Sequence, residues 1–398
     1  MKIRVFSIVF LIILFSCSSE TDNKKDGYIQ VYNTDKVNFT DLFEEYELIF
    51  PESTDLALVG VSIERLEKHR DKIFLLNRTN KGYNILCFDT NGHFLFTIDK
   101  KGNGPGEYSA LKDFLIDKQL DAILLDVVGN QYGFDEYMYF DLGGNYLYSK
   151  KGPDLSGITH FMMEFNDSLY IALSRCAHRE NCEEIVFLDR QSLALKEFIS
   201  CTDQFTAEVI PRLSLCKAND TFFFYDGNDV ISDISTESGY KSPVYFVDFG
   251  SQQRELKEKF AGKTHEEILT LHQKTFQNKT LRTTIRFLCN EKYFAINYSE
   301  NKSVKNSYDV RYQTVFYDLE TKKSYNTSNM NFDIFNSVQN DRMEIVGCAE
   351  GYFYAVLNSP FSEEEKREIV KSKYLPEESK QALLNMDEES NPIIMMFK

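Results

Sequence analysis

The sequence contains no tryptophan, only six histidines, and too few basic residues to balance its acids: 45 Lys and Arg against 61 Asp and Glu give a formal charge of −16 over 398 residues. Without tryptophan the usual stacking platform for sugars is missing, which leaves that role to tyrosine or phenylalanine. Histidines scattered this thinly offer little for a multi-histidine metal centre. The negative surplus repels phosphate backbones and anionic lipid surfaces, so nucleic acid is not an expected partner, and the excess acid reads as solvation of an exposed protein. Neither G-x-S-x-G nor H-E-x-x-H occurs, so nucleophile-elbow and zinc-protease chemistry lack their signature residues.

What is present in quantity is aromatic: 33 Phe and 23 Tyr within a 42% hydrophobic composition can fill a sizeable core. The stretch Lys72 to Tyr108 organises the rest. It reads as short strands at Ile73 to Leu76, Asn84 to Phe88 and Phe94 to Ile98, with Asp89-Thr-Asn-Gly92 as a turn. A polar turn followed at once by an apolar strand then recurs, six times in all: Asp71-Lys72, Leu120-Asp121, Asn166-Asp167, Asn219-Asp220, Asn290-Glu291 and Glu350-Gly351. Each follows another apolar run, so each is the tip of a hairpin. A second marker, two apolar residues ending in Asp, lies downstream of the first five tips, at Asp89, Asp141, Asp189, Asp248 and Asp318. Tip spacings of roughly 45 to 70 residues suit four-stranded blades rather than solenoid repeats. The expected fold is all-β, a six-bladed β-propeller over residues 41–398.

Two segments break the strand pattern. Residues 251–282 turn helical, with Thr264 and Glu267 spaced as a capping box and His272 on the same helix, to which no chemistry is assigned. Residues 362–387 do so again, opened by Ser362 and Glu365. The run after Pro392, Ile393 to Phe397, is a strand without a partner downstream, and Tyr46 to Phe50 is one without a preceding hairpin. Pairing them in the last blade would shut the ring and cover two apolar edges.

The glycine-rich turn Gly102-Asn-Gly104-Pro105-Gly106-Glu107-Tyr108 has the spacing of a phosphate cradle, but no helix start and no Lys-Ser/Thr follows it. It reads as a structural turn that needs positive φ at glycine, with Pro105, Glu107 and Tyr108 fixing it. No cofactor-binding, catalytic or metal residue is assigned.

The chain begins with an address. Lys2 and Arg4 precede the apolar run Val5 to Phe15, which is well short of the ~20 residues needed to span a bilayer. Leu14-Phe15-Ser16-Cys17 resembles a bacterial lipobox, in which the cysteine becomes the acylated N-terminus, so residues 1–17 are expected to be a signal peptide. Ser18-Ser-Glu20-Thr-Asp22 looks like the signal that sends some Bacteroidota lipoproteins to the outer face of the outer membrane, and residues 18–40 are expected to form a polar tether. Removing Cys17 leaves seven cysteines. The cluster Cys176-Ala-His178-Arg-Glu-Asn-Cys182 reads as a disulfide across a hairpin loop, with metal binding the weaker alternative. Cys87, Cys289 and Cys348 read as small buried hydrophobes, and Cys201 and Cys216 form a second possible pair.

The segment FDTNGHFLFTIDKKGNGPGEY, the closing NPIIMMFK and the lipobox are together similar to the six-bladed β-propeller lipoproteins of Bacteroidota, whose repeats are NHL-like. The resemblance spans the mature chain, and Asp99-Lys100 departs from it where such blades often carry glycine. It implies fold and address, an outer-membrane, surface-exposed, lipid-anchored protein, and brings no reaction with it. Membrane contact is then through the lipid anchor only. The expected role is a binding module for a glycan, a peptide or an envelope protein. The alternative is a propeller enzyme, a glycoside hydrolase or a lyase, with its site in the central channel.

Overall fold

A computed structural model describes residues 27–32, 34–130, 136–153, 157–176, 183–201, 214–226, 229–235, 240–260, 280–304, 307–336, 343–358 and 361–398, and structural statements below refer to these. Six sheets stand around a common axis as a six-bladed β-propeller. Blade 1 consists of Ser62–His69, Lys72–Thr79, Gly82–Asp89 and Phe94–Ile98 in that order from axis to rim, and blades 2, 3 and 5 repeat the antiparallel order.

The apolar run in the second strand of blade 1 shows why the ring holds. Ile73, Phe74, Leu75 and Leu76 are all fully buried. Successive side chains of a strand point to opposite faces. Ile73 and Leu75 pack with Val346, Tyr354 and Ile394 of blade 6, while Phe74 and Leu76 pack with Phe114, Ile123 and Leu125 of blade 2. The core is therefore a set of wedges between blades, and a strand with a blade on either side must be apolar on both faces. At the rim the demand is halved, and Phe94–Ile98 alternates between more and less exposed positions.

Both sequence markers have a local cause. At the hairpin tips, Asp117 Oδ1 accepts from the backbone N–H groups of Gln119 and Leu120 at 3.0 and 2.8 Å, and Asn166 and Asn290 do the same for the two N–H groups that follow their own turns. Arg70, Asp121, Asn219 and Glu350 take positive φ there. At the third-to-fourth strand turns, Asp89, Asp141, Asp189 and Asp318 each hold two turn N–H groups in the same manner. Asp248 differs: it ends the fourth strand of blade 4, Tyr240–Asp248, rather than its third strand.

The ends of the chain meet in blade 6. Ile393–Phe397 lies between Tyr352–Leu357 and Tyr46–Ile49, antiparallel to both, with Ile394 opposite Ile49 and Phe397 opposite Tyr46. Order begins well before residue 40, contrary to a tether of that length: Tyr28–Gln30 adds a parallel fifth strand to blade 4 and Val37–Asn38 pairs with Met330–Asn331. The cause is apolar content, since Ile29, Val31, Phe39 and Phe43 are buried in the cores.

The second insertion is two helices, Glu363–Val370 and Glu377–Asn385. Ser362 Oγ accepts from Glu365 N at 3.3 Å and the Glu365 carboxylate accepts from Ser362 N at 2.7 Å, a reciprocal cap. Ile369 and Leu383 are fully buried in the core that holds Phe397, so this pair belongs to the body of blade 6. Of the first insertion the helix Ser251–Phe260 is described and the strand pattern resumes at Thr280; Thr264, Glu267 and His272 lie outside the described residues, as do Cys17 and Cys182. The side chain of Cys176 does too.

One cysteine expectation is overturned. Cys289 is not a solitary buried hydrophobe, and Cys216 does not wait for Cys201: Cys216 and Cys289 are joined as a disulfide with Cα atoms 5.7 Å apart. They sit on the innermost strands of neighbouring blades, 73 residues apart in sequence but side by side at the axis, a proximity only the ring creates.

Candidate functional site

The first strand of every blade ends in its hairpin tip on the same face of the ring, because each runs in the same direction along the axis. The tips surround a cavity of about 690 Å³, to which all six blades contribute. Asn166, Asp167, Asn219, Asn290, Glu291, Glu350 and Gly351 of the sequence markers line it. Sequence reasoning found these residues as turn formers; the ring makes them the rim of one channel mouth.

Below the rim the lining is charged and tightly paired. Arg65 is buried on the inner strand of blade 1, and its guanidinium donates to Glu67 Oε1 at 2.5 and 3.0 Å, to Asp113 Oδ2 of blade 2 at 3.1 Å and to the Met162 carbonyl of blade 3 at 3.1 Å. Its carbon centre lies 4.6 Å from the Phe161 ring. Burial alone disfavours the charge, but Asp113 and Glu67 outweigh it and the net shift is upward. One side chain thus ties three blades together at the axis.

Arg190 makes a second knot. It grips Asp117 with two N–H groups, at 2.5 and 3.1 Å, and also donates to Glu164 and to the Asn166 carbonyl. The Tyr170 hydroxyl donates to the same Asp117 carboxylate. Burial pushes the Asp117 carboxyl up, and Arg190, Tyr170 and the Leu120 N–H together pull it down further, leaving it below the usual range. A third pair, Lys68 and Glu350, joins blades 1 and 6 at the rim.

The mouth therefore presents three carboxylates set against cations, Glu67 with Arg65, Glu164 with Arg190 and Glu350 with Lys68, beside Asp167 and Glu291. A glycosidase sets two carboxyls facing one another across its substrate, whereas each of these three faces a cation. Among the described residues no group of three or more His, Cys, Asp or Glu is arranged to hold a metal ion. His69 and His93 are spent on Asp121 and Asp89 at 2.9 and 3.0 Å. The Cys216–Cys289 disulfide and the free Cys348 also line the cavity. Burial, then Glu67, push the Cys348 thiol up to about 12, against a weaker pull from Lys118.

The glycine-rich turn is elsewhere. It carries the chain from the rim strand of blade 1 to the inner strand of blade 2, on the face opposite the mouth. Gly104 N donates to Glu107 Oε2 at 2.7 Å, Glu107 N to the Gly104 carbonyl at 3.1 Å, and Gly102 N to the Tyr108 carbonyl at 3.1 Å. Gly106 has φ +75°, and a Cβ on it would stand 3.2 Å from the Tyr146 ring. Tyr108 is fully buried, and burial raises its phenol to about 12. Three of the turn's N–H groups are thus satisfied within the turn itself.

Arg65 and Arg190 were not singled out from the sequence. The available signal was an arginine inside or directly behind an apolar strand run, where a charge is affordable only with buried partners.

Among solved structures, the chain is similar to a protein of Bacteroides fragilis whose name records an inferred export, at 16% identity and a TM-score of 0.66, covering 94% of this chain and 99% of that one. A member of the DUF4221 family from Bacteroides vulgatus aligns at 11% identity and a TM-score of 0.44, over 90% and 97% of the two chains. The WD40 domain of Toxoplasma gondii coronin aligns at 11% identity and 0.41, over 82% and 73%. Only the first likeness is strong enough to use, and it speaks to the fold. No curated protein matches this chain. Residues 28–398, from the added strand of blade 4 to the end of the closing strand, match the family described as a domain of unknown function, DUF4934, and the chain belongs to that family.

Proposed function

We propose that the protein is an exported, lipid-anchored recognition module that holds a polar ligand at the channel mouth and does not transform it. The observation that carries this is the cavity of about 690 Å³ lined from all six blades, in which three carboxylates, Glu67, Glu164 and Glu350, are already ion-paired. A pocket built this way is pre-formed and offers hydrogen-bonding groups of both signs. The three paired carboxylates each face a cation rather than a second carboxyl across a substrate. The ligand classes that fit are a glycan, a peptide or a segment of an envelope protein; a net charge of −16 disfavours nucleic acid.

Export and anchoring rest on the lipobox at Cys17, and the name of the similar Bacteroides fragilis protein supports the export alone. Outer-membrane, surface-exposed placement rests on the short acidic segment after Cys17, and the NHL-like lipoproteins named above remain the expected wider kin.

The test is calorimetric binding of the purified chain to a panel of glycans and peptides, with each ligand recovered and analysed afterwards. Saturable binding with unchanged ligand is expected. Lys217→Glu at the mouth should weaken it, while Lys81→Glu on the opposite face should not. Product formation would replace the binding module with the propeller enzyme, and binding insensitive to the mouth variant would move the site elsewhere.

A further inference from the structure

The chain enters its fold at one fixed place. Tyr28–Gln30 runs parallel to the rim strand of blade 4, with Tyr28 opposite Phe246 and Gln30 opposite Asp248. Phe246 N donates to the Gly27 carbonyl at 2.7 Å and Val31 N to the Asp248 carbonyl at 3.2 Å. Gly27 has φ +89°, and a Cβ there would stand 2.9 Å from the Val244 carbonyl oxygen, so glycine is what lets the backbone come this close. Ile29 and Val31 are buried beneath, which nails the strand down. Blade 4 alone has this fifth strand among the described residues.

The side chains that face outward at the entry point are aromatic. The Tyr28 and Phe246 rings stack with centroids 5.4 Å apart, and the two residues are 43% and 40% exposed. Cys17 precedes Gly27 by ten residues. Ten residues reach about 35 Å fully stretched. Acyl chains on Cys17 would hold the rim of blade 4 within that distance of the lipid. The net charge of −16 gives the rest of the surface no electrostatic attraction to a bilayer.

We propose that the rim of blade 4 docks on the lipid surface through the stacked Tyr28–Phe246 pair. Amphipathic rings settle at the headgroup level of a bilayer, where an apolar body and a polar tip are both satisfied. The ring then stands edge-on to the membrane, blade 1 is its outermost part, and the mouth opens sideways along the membrane plane. This placement rests on acylation of Cys17, which belongs to the reading above.

The absence of tryptophan makes a direct test available. Tyr28→Trp places a single tryptophan at the proposed contact, Phe246→Trp gives a second probe there should the first variant misfold, and Leu95→Trp marks the rim of blade 1. The full chain is reconstituted into neutral phosphatidylcholine vesicles containing brominated phosphatidylcholine. A blue shift and quenching are expected for tryptophan at 28 or 246 and neither at 95. Acylation is read separately from the mass of the N-terminal peptide. Acylated protein with no quenching at 28 and 246, or with equal quenching at 95, overturns the docking and leaves the anchor standing. A chain that carries no acyl group removes both.

Discussion

Replacing Phe397 with alanine tests the closure of the ring at its most concentrated point. Phe397 is fully buried, with ring centroids 4.7 Å from Phe43, 5.3 Å from Phe39, 5.8 Å from Phe353 and 6.0 Å from Phe316. These partners come from the N-terminal segment, blade 5 and blade 6, so one side chain joins both ends of the chain to the ring. Burying a phenylalanine removes on the order of 150–200 Å² of apolar surface from water, worth about 4 kcal/mol at ~25 cal/mol per Å². Measured Phe→Ala losses of about 3–5 kcal/mol agree. Unfolding entropy near 2.1 cal/mol/K per residue over the family-matched span converts this to a fall in Tm of about 5 °C. Urea denaturation followed by far-UV circular dichroism reads the change, with Phe198→Ala as control, since that residue is 54% exposed on the rim of blade 3. A loss below about 1 kcal/mol, or one no larger than the control's, would refute the claim that the last strand locks the ring.

Deleting Ile393 to Lys398 goes further and should abolish cooperative unfolding, and a truncated chain with an unchanged thermal midpoint contradicts the pairing with Tyr46–Ile49. Cys216→Ser with Cys289→Ser opens a 73-residue link, and loop-closure entropy sets the expected loss at about 4 kcal/mol as an upper figure; equal stability with and without reductant would count against it. Arg190→Ala strands the buried Asp117 carboxylate and should cost about 3–5 kcal/mol, with Asp117→Asn recovering part of it. The Asp117 carboxyl is lowered in the folded state, so its contribution is complete above the unfolded value of about 3.9 and is lost as pH falls through the folded one; Asp117→Asn should flatten the acid limb of a stability profile. Burial pushes the Cys87 thiol up to about 12, so alkylation at pH 8 should leave it untouched until denaturant is added.

The ring was legible in the sequence because both of its markers have local causes. An Asp or Asn that caps the N–H groups of its own turn imposes its position within a few residues, as Asp141, Asn166 and Asn290 do, so its periodicity survives divergence of everything else. Closure was legible for a different reason: Ile393–Phe397 and Tyr46–Ile49 each lacked a neighbour in sequence. The Asp248 marker also lies downstream of its tip, but it ends the fourth strand of its blade where the other four end a third. What could not be read was anything assembled across blades. Arg65 meets Asp113 from 48 residues away, Arg190 meets Asp117 from 73, and Cys216 meets Cys289 from 73. None of these distances is periodic, and none leaves a local pattern. The candidate site is built almost wholly from such meetings, which is why its rim was visible in the sequence and its contents were not.

The arrangement of blade 6 also imposes a timetable. Tyr46–Ile49 is made early and must wait beside an empty place until some 340 further residues have been synthesised, because its neighbour Ile393–Phe397 lies that far along the chain. Contacts between such remote parts of a chain form slowly. Until that strand arrives blade 6 lacks its third member, and the ring stays open.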